Sequence, residues 1–366
     1  MTTRRRIISK MNNMKKILFT ILSMTLLACN PNDEYSKGPD WSQIPTPDPE
    51  PEQPVEPEPE PEQPTTTIIT PTTKNAQPGE DTTGLFYTIG MQINVADNTF
   101  STRLKEVADA GFKYVELKIK YSYSLHNKSD EQVNATFAAM QQQMDKYGIT
   151  VWSIHLPYED KNWTSISAGE SIRKQSVEYI LRALRLCAAN FPTCKNYVLH
   201  ASKSVSPSAT AISQAHKSLM EMDEVAKQLG VRFCVENLVG SFCYTIDDLM
   251  AVIKPFDNVY ATFDIGHANC KGYDVVEYLK SIGTKLGTVH IHDTAYKSGS
   301  DDHRLVGDGD IATKNRAWGE IYKTMLTDNG YRGVFMFEPK DNQKATDVVA
   351  RYNDIILKSY EELRDK

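Results

Sequence analysis

From Leu85 to the C-terminus, short apolar runs alternate with longer stretches whose apolar residues recur every three or four positions. The runs are Leu85–Ile93, Tyr114–Ile119, Thr150–His155, Tyr197–Ala201, Val231–Asn237, Val259–Asp264, Thr288–Asp293 and Gly333–Glu338. Each predicts a strand, and each stretch that follows predicts a helix, as with Leu219, Met222, Val225 and Leu229 before the fifth run. Gly111, Gly148, Gly230, Gly283 and Gly330 sit just after predicted helices and just before strands, where a glycine stops a helix. Eight such units in roughly 280 residues fit a closed (β/α)8 barrel in count and size. A doubly wound open sheet is the main alternative, but no glycine-rich nucleotide loop follows the first run.

The pattern stops before Leu85. Arg4, Arg5, Arg6, Lys10, Lys15 and Lys16 form a basic segment, and Ile17 to Leu27 form an apolar core too short for a permanent bilayer span. Leu26-Leu27-Ala28-Cys29 then places a small residue before a cysteine, as in a bacterial lipobox. The expectation is a lipoprotein signal over 1–28, with Cys29 acylated as the mature N-terminus. Residues 29–84 hold Pro alternating mostly with Glu, Asp and Gln, then a Thr-rich run. Proline fixes φ and like charges repel, so this segment buries no core and reads as a tether extending about 3.1 Å per residue. One barrel domain, 85–366, follows. This organisation predicts an exported protein held by its lipid anchor at the cell envelope, on the outer-membrane or periplasmic face.

The formal net charge of −6 is unevenly spread. Residues 29–83 carry 2 basic and 12 acidic groups, whereas from Gly84 onward there are 33 basic and 35 acidic ones. A near-neutral barrel lacks the basic bias of a nucleic-acid binder, so no nucleic-acid partner is expected. Beyond Cys29 the cysteines are Cys187, Cys194, Cys234, Cys243 and Cys270, with no CxxC pair that would suggest a structural zinc cluster. An oxidising exterior permits a disulfide, for which Cys187 and Cys194 are candidates, and the odd count leaves a free thiol.

Polar residues capable of chemistry gather at the C-terminal tips of the predicted strands. Glu116 lies in the second run, and His155, His200 and Glu236 end the third, fourth and fifth. Asp264, with His267 beyond it, ends the sixth; His290, His292 and Asp293 end the seventh; Glu338 ends the eighth. Asp301, His303 and Gly307-Asp308-Gly309 follow in the next loop. In a (β/α)8 barrel these tips meet at one mouth, where active sites are built. Buried unpaired charge costs several kcal/mol, so carboxylates and imidazoles around one opening call for a cation. Oxygen and imidazole donors without thiolate suit Mn, Mg, Co, Fe or Zn and do not select among them.

These strand-end motifs, taken in order, resemble the xylose-isomerase-like TIM barrels, which include sugar isomerases, epimerases and endonuclease IV. The similarity runs from Leu85 to the C-terminus through Gly111-Phe-Lys-Tyr-Val-Glu116-Leu, Val235-Glu236-Asn237, Phe263-Asp264-Ile265-Gly266-His267 and Val289-His290-Ile291-His292-Asp293. It continues in Asp301-x-His303, Gly307-Asp308-Gly309-Asp310-Ile311 and Phe337-Glu338-Pro339. The resemblance implies one divalent metal on Glu236, Asp264, His290 and Glu338, with Glu236 and Glu338 also acting as acid and base. It implies substrate contacts from His155, His200, His267, His303 and Arg304. Glu116 falls outside that ligand set and is open to either substrate contact or barrel-mouth architecture.

The function so implied is metal-dependent isomerisation or epimerisation of a small carbohydrate, keto-sugar or cyclitol by proton abstraction alpha to a carbonyl. A keto-glycoside lyase or hydrolase using the same proton abstraction is a close variant. An endonuclease IV-like phosphoesterase is the competing class. Its trinuclear zinc site would draw on His155, His200, Glu236, Asp264, His267, His290, Asp301, His303 and Glu338. A homo-oligomer is open, since barrels of this family often pair.

Overall fold

The computed structural model describes residues 88–364 except 96–98, 121–124, 126, 203–204 and 241. The leader, Cys29 and the tether lie outside the described residues.

Eight parallel strands close into a barrel in chain order. They are β1 (Ile89–Asn94), β2 (Tyr114–Lys118), β3 (Thr150–His155), β4 (Asn196–Leu199), β5 (Arg232–Glu236), β6 (Val259–Asp264), β7 (Leu286–Ile291) and β8 (Phe335–Phe337). Every predicted run overlaps one of them, with β1, β4 and β7 reaching one or two residues past their runs, and β8 pairs back onto β1 to complete the ring.

Side chains alternate across a strand, and here the two faces differ in chemistry. One face carries Val115, Leu117, Ile154, Phe233, Val235, Phe263, Val289, Ile291, Phe335 and Phe337, all buried under the helical layer. Burying each such side chain contributes roughly 1.5–3 kcal/mol. The other face carries Gln92, Glu116, Ser153, His155, Glu236, Asp264 and His290, which converge inside the barrel. The apolar outer face therefore holds the barrel closed, which leaves its interior free for polar groups.

Local chemistry sets where helices start and stop. Ser129 and Gln132 form a reciprocal capping box at the start of helix Asp130–Tyr147, and Gly148 ends that helix at φ 63°. Gly111, Gly230, Gly283 and Gly330 also adopt positive φ, as their positions predict.

The thiols correct one expectation. Cys187 and Cys194 are unbonded, and all five described cysteines are free and buried. Cys194 Sγ instead donates to the carbonyl of Asn196 at 3.4 Å. None of the described helices is long and apolar enough to cross a membrane.

Glycine is required where backbone meets backbone. A Cβ on Gly319, in the first turn of helix Trp318–Thr327, would lie 2.3 Å from the carbonyl oxygen of Ser359. Main chain cannot swing aside as a side chain can. Gly319→Ala is therefore expected to destabilise the protein by about 1–3 kcal/mol. The change would be read as a lower urea midpoint at unchanged slope.

Candidate metal centre

Four strand tips deliver the central group. Atoms of Glu236, Asp264, His290 and Glu338 all lie within 4.8 Å of one another, and all four residues are buried. His290 Nδ1 sits 2.9 Å from Glu338 Oε2, 3.3 Å from Glu236 Oε1 and 3.8 Å from Asp264 Oδ2. The other ring nitrogen, Nε2, lies 3.0 Å from Glu116 Oε1.

That last contact decides between the two roles open to Glu116. Its carboxylate is fully buried and accepts from Gln92 Nε2 at 2.8 Å and Ser153 Oγ at 2.7 Å as well as facing His290. With three partners beneath the cluster and no exposed surface, it orients the imidazole. Of the two roles open to Glu116, this placement is the one barrel-mouth architecture requires.

Two further groups of donors flank the central one. His155, His200 and Glu236 form the first, with His155 Nε2 at 3.1 Å and His200 Nε2 at 2.8 Å from Glu236 Oε2. On the other side, Asp301 Oδ2 lies 3.2 Å from His267 Nε2 and 2.8 Å from His303 Nε2. His292 belongs to this side: its Nε2 lies 3.1 Å from Asp264 Oδ1, and its ring stacks on His303 with centroids 4.3 Å apart. All nine residues expected for a trinuclear site thus fall in three adjoining clusters. His292 is a member that sequence reasoning named at a strand tip but left without a role. The Gly266 beside it was the available signal, because a Cβ there would lie 2.0 Å from His292 Cε1.

Whether a metal fits is decided by the protons. His155 Nδ1 donates to Leu156 O at 2.9 Å, His267 Nδ1 to Asn237 O at 2.7 Å, and His303 Nδ1 to Glu338 O at 3.0 Å. Once that N–H is committed, a neutral imidazole has only a lone pair on its second nitrogen. In each of these rings the second nitrogen faces a carboxylate oxygen, an acceptor facing an acceptor. Either an extra proton or a cation must stand between them. A fixed outer N–H with the inner nitrogen aimed at carboxylates is the arrangement of metal-ligating histidines, so the donor set fits divalent metal.

The electrostatics state the same demand. Burial would raise the Glu236 and Glu338 carboxyls, but the imidazoles of His290 and His200 for the first, and Lys118 and His290 for the second, hold them well below the usual range. Burial would lower His290 and His267. The carboxylates of Glu116, Glu338 and Glu236 around the first, and Asp264 and Asp301 around the second, hold them well above it. His303 is raised to about 9 against its burial, by Glu338 and Asp301. His200 goes the other way, lowered to about 4 because burial outweighs Glu236.

The loop bringing Asp301 and His303 is fastened at its base by Asp293. Its Oδ1 accepts from Thr294 N at 2.9 Å and Ile311 N at 3.2 Å, and its Oδ2 from Gly307 N at 2.9 Å. Backbone bonds between Asp293 and Arg304 in both directions close the loop. Arg304 itself departs from expectation: its guanidinium pairs with Asp302 at 2.7 Å, is 40% exposed, and does not line the cavity beside the cluster. A short loop with its own acidic neighbour turns that side chain toward the rim.

Two outcomes follow. Ser153→Ala removes no ligand but frees Glu116, and is expected to weaken metal binding about 10–100-fold in a chelator competition. In metal-stripped protein, His303, His290 and His267 contribute stability that is fully present below pH 6.5 and lost as pH rises through their folded values, about 9 for His303. His200 opposes them, contributing above pH 6.5. The melting temperature of stripped protein is expected to fall between pH 6.5 and about 9, while added divalent metal raises it more at the upper end. A rise in the stripped protein over that range would show that these rings are not held protonated.

The chain is similar to known proteins on two levels. It is 26% identical to an uncharacterised protein of Methanocaldococcus jannaschii over 272 residues, 70% of this chain and 86% of that one. In fold it matches solved structures of an L-ribulose 3-epimerase (TM-score 0.60, 18% identity, 76% of this chain and 95% of that one) and a D-tagatose 3-epimerase-like protein (0.58, 23%, 75% and 98%). Residues 104–360 match the family model described as a xylose isomerase-like TIM barrel. The chain belongs to the xylose isomerase-like TIM barrel family.

Proposed function

We propose that the protein is a divalent-metal-dependent sugar isomerase or epimerase that moves a proton alpha to a carbonyl. The observation carrying this is the pair Glu236 and Glu338, which approach His290 Nδ1 from β5 and from the end of β8 and are both held ionised. The fold shared with the two epimerase structures supports it.

Glu236, Asp264, His290 and Glu338 would hold the cation. Bound there, it would supply the positive charge that a carbonyl and its neighbouring hydroxyl need as negative charge develops on them. The protein's own groups do the rest. Glu236 and Glu338 reach the substrate from different sides, so one carboxylate can take a proton that the other returns. Lys118, 2.8 Å from Glu338 Oε1, keeps that carboxylate ionised and oriented. His200, facing Glu236 with one ring nitrogen, offers a bond to a hydroxyl group of an open-chain sugar, while His155 and His303, with both nitrogens on protein acceptors, shape the walls around it. Keto-glycoside cleavage begins with the same proton abstraction and is the same chemistry with a different leaving group.

A second reading is favoured by one observation, the three adjoining donor groups. They can hold three cations, the arrangement that phosphoester hydrolysis would use. Cation number separates the two: about one Mn, Mg or Co per chain supports sugar chemistry, and three Zn support the phosphoesterase. The sequence further supports export and anchoring through Cys29, with a small carbohydrate as partner, no nucleic acid, and the oligomeric state open.

Glu236→Gln and Glu338→Gln are each expected to slow deuterium exchange at the α-carbon of a ketose substrate by about 10²–10⁴-fold. Proton NMR of a keto-sugar panel in deuterated water checks this. Unchanged exchange in both variants would remove the carboxylates from the mechanism.

A further inference from the structure

Beside the donor clusters, one side of the barrel mouth is rich in lysine. A cavity of about 350 Å³ lies there, lined by Lys118, Lys120 and Lys340 together with Gln92, Asn94 and Tyr158, and it meets the cluster at Glu338 and His303. That volume accommodates a sugar-sized ligand.

Several lysines on the solvent-facing helices pair with acids: Lys105 with Asp109, Lys227 with Asp223, Lys280 with Glu277 and Lys314 with Asp310, at 2.5–3.1 Å. Lys120 is half-buried, Lys340 is exposed, and neither has an ion-pair partner among the described residues. Asp341 also lines the cavity, its carboxylate accepting from the Asn94 amide. Lys118 does have a partner, yet that partner's other oxygen faces His290 at 2.9 Å, so its charge is shared with the cluster. Three lysines against two carboxylates, one of which also faces His290, leave an excess of positive charge around the cavity, where a ligand's anion would sit.

We propose that Lys118, Lys120 and Lys340 form a subsite for an anionic substituent, phosphate or carboxylate, carried by the substrate away from its reacting carbon. This rests on the sugar reading above and narrows it to phosphorylated sugars or sugar acids. Lys120 and Lys340 are the specificity-determining members, since they touch neither Glu338 nor the donor groups.

The test titrates inorganic phosphate and D-glucuronate, with neutral D-fructose as control, into full-length protein and its Lys120→Gln/Lys340→Gln variant. Each is run metal-loaded and metal-stripped, so that an anion bound on the cation itself is not counted. In the stripped protein the variant is expected to bind at least one anion fivefold or more weakly, with D-fructose binding and metal content unchanged. Loss of phosphate alone identifies a sugar phosphate, and loss of glucuronate alone a sugar acid. A smaller loss for both anions, no anion binding by the wild type, or an equal loss for D-fructose overturns the subsite. The sugar reading fails on a different measurement, the α-proton exchange of neutral and charged ketoses alike.

Discussion

The structure depends on acceptors facing acceptors. Glu116, Glu236, Asp264 and Glu338, with Asp301 nearer the surface, bring negative charge into the barrel mouth, and six histidines meet them, three of which (His155, His267 and His303) have their outer N–H already committed. In the low dielectric of such a site the repulsion between unpaired carboxylates would exceed what local packing returns. Protons on the imidazoles satisfy the arrangement at lower pH, and divalent cations satisfy it where the imidazoles are neutral. The apolar outer faces of the strands make this affordable, because the barrel's closure does not draw on its interior.

The site is built in depth. Ser153 and Gln92 hold Glu116, Glu116 holds His290, and His290 faces the three carboxylates at the centre. Such a chain fixes a ring's orientation before any ligand arrives, which makes the donors ready rather than adaptable. Asp264 adds a second use of the same atoms, capping the short helix Ile265–Lys271 through the His267 N–H at 2.6 Å. One residue thereby sets both a ligand and the position of the histidine three residues on.

Much of this was legible in the sequence. Period and glycine punctuation located all eight strands, since a glycine in the left-handed region leaves a readable mark between helix and strand. Carboxylates and histidines ending apolar runs located the clustered donors, because a barrel turns every such end to one face. What stayed hidden depends on side-chain direction. Glu116 shares its strand face with Lys118, and only the packing shows that one points beneath His290 while the other reaches the cavity. His292 is separated from His290 by Ile291 alone and Arg304 directly follows His303, yet the first faces Asp264 and the second pairs with Asp302. The pairing suggested for Cys187 and Cys194 rested on closeness in the chain, which does not fix bond geometry.

The Asp293 fastening has a consequence for how such a centre can change. Asp301 and His303 ride on one contiguous segment whose two ends are knotted to a single carboxylate, whereas Glu236, Asp264, His290 and Glu338 stand at the ends of separate strands. Remodelling between Thr294 and Asp310 would therefore move Asp301 and His303 as a pair, while Glu236, Asp264, His290 and Glu338 stay fixed by the barrel itself.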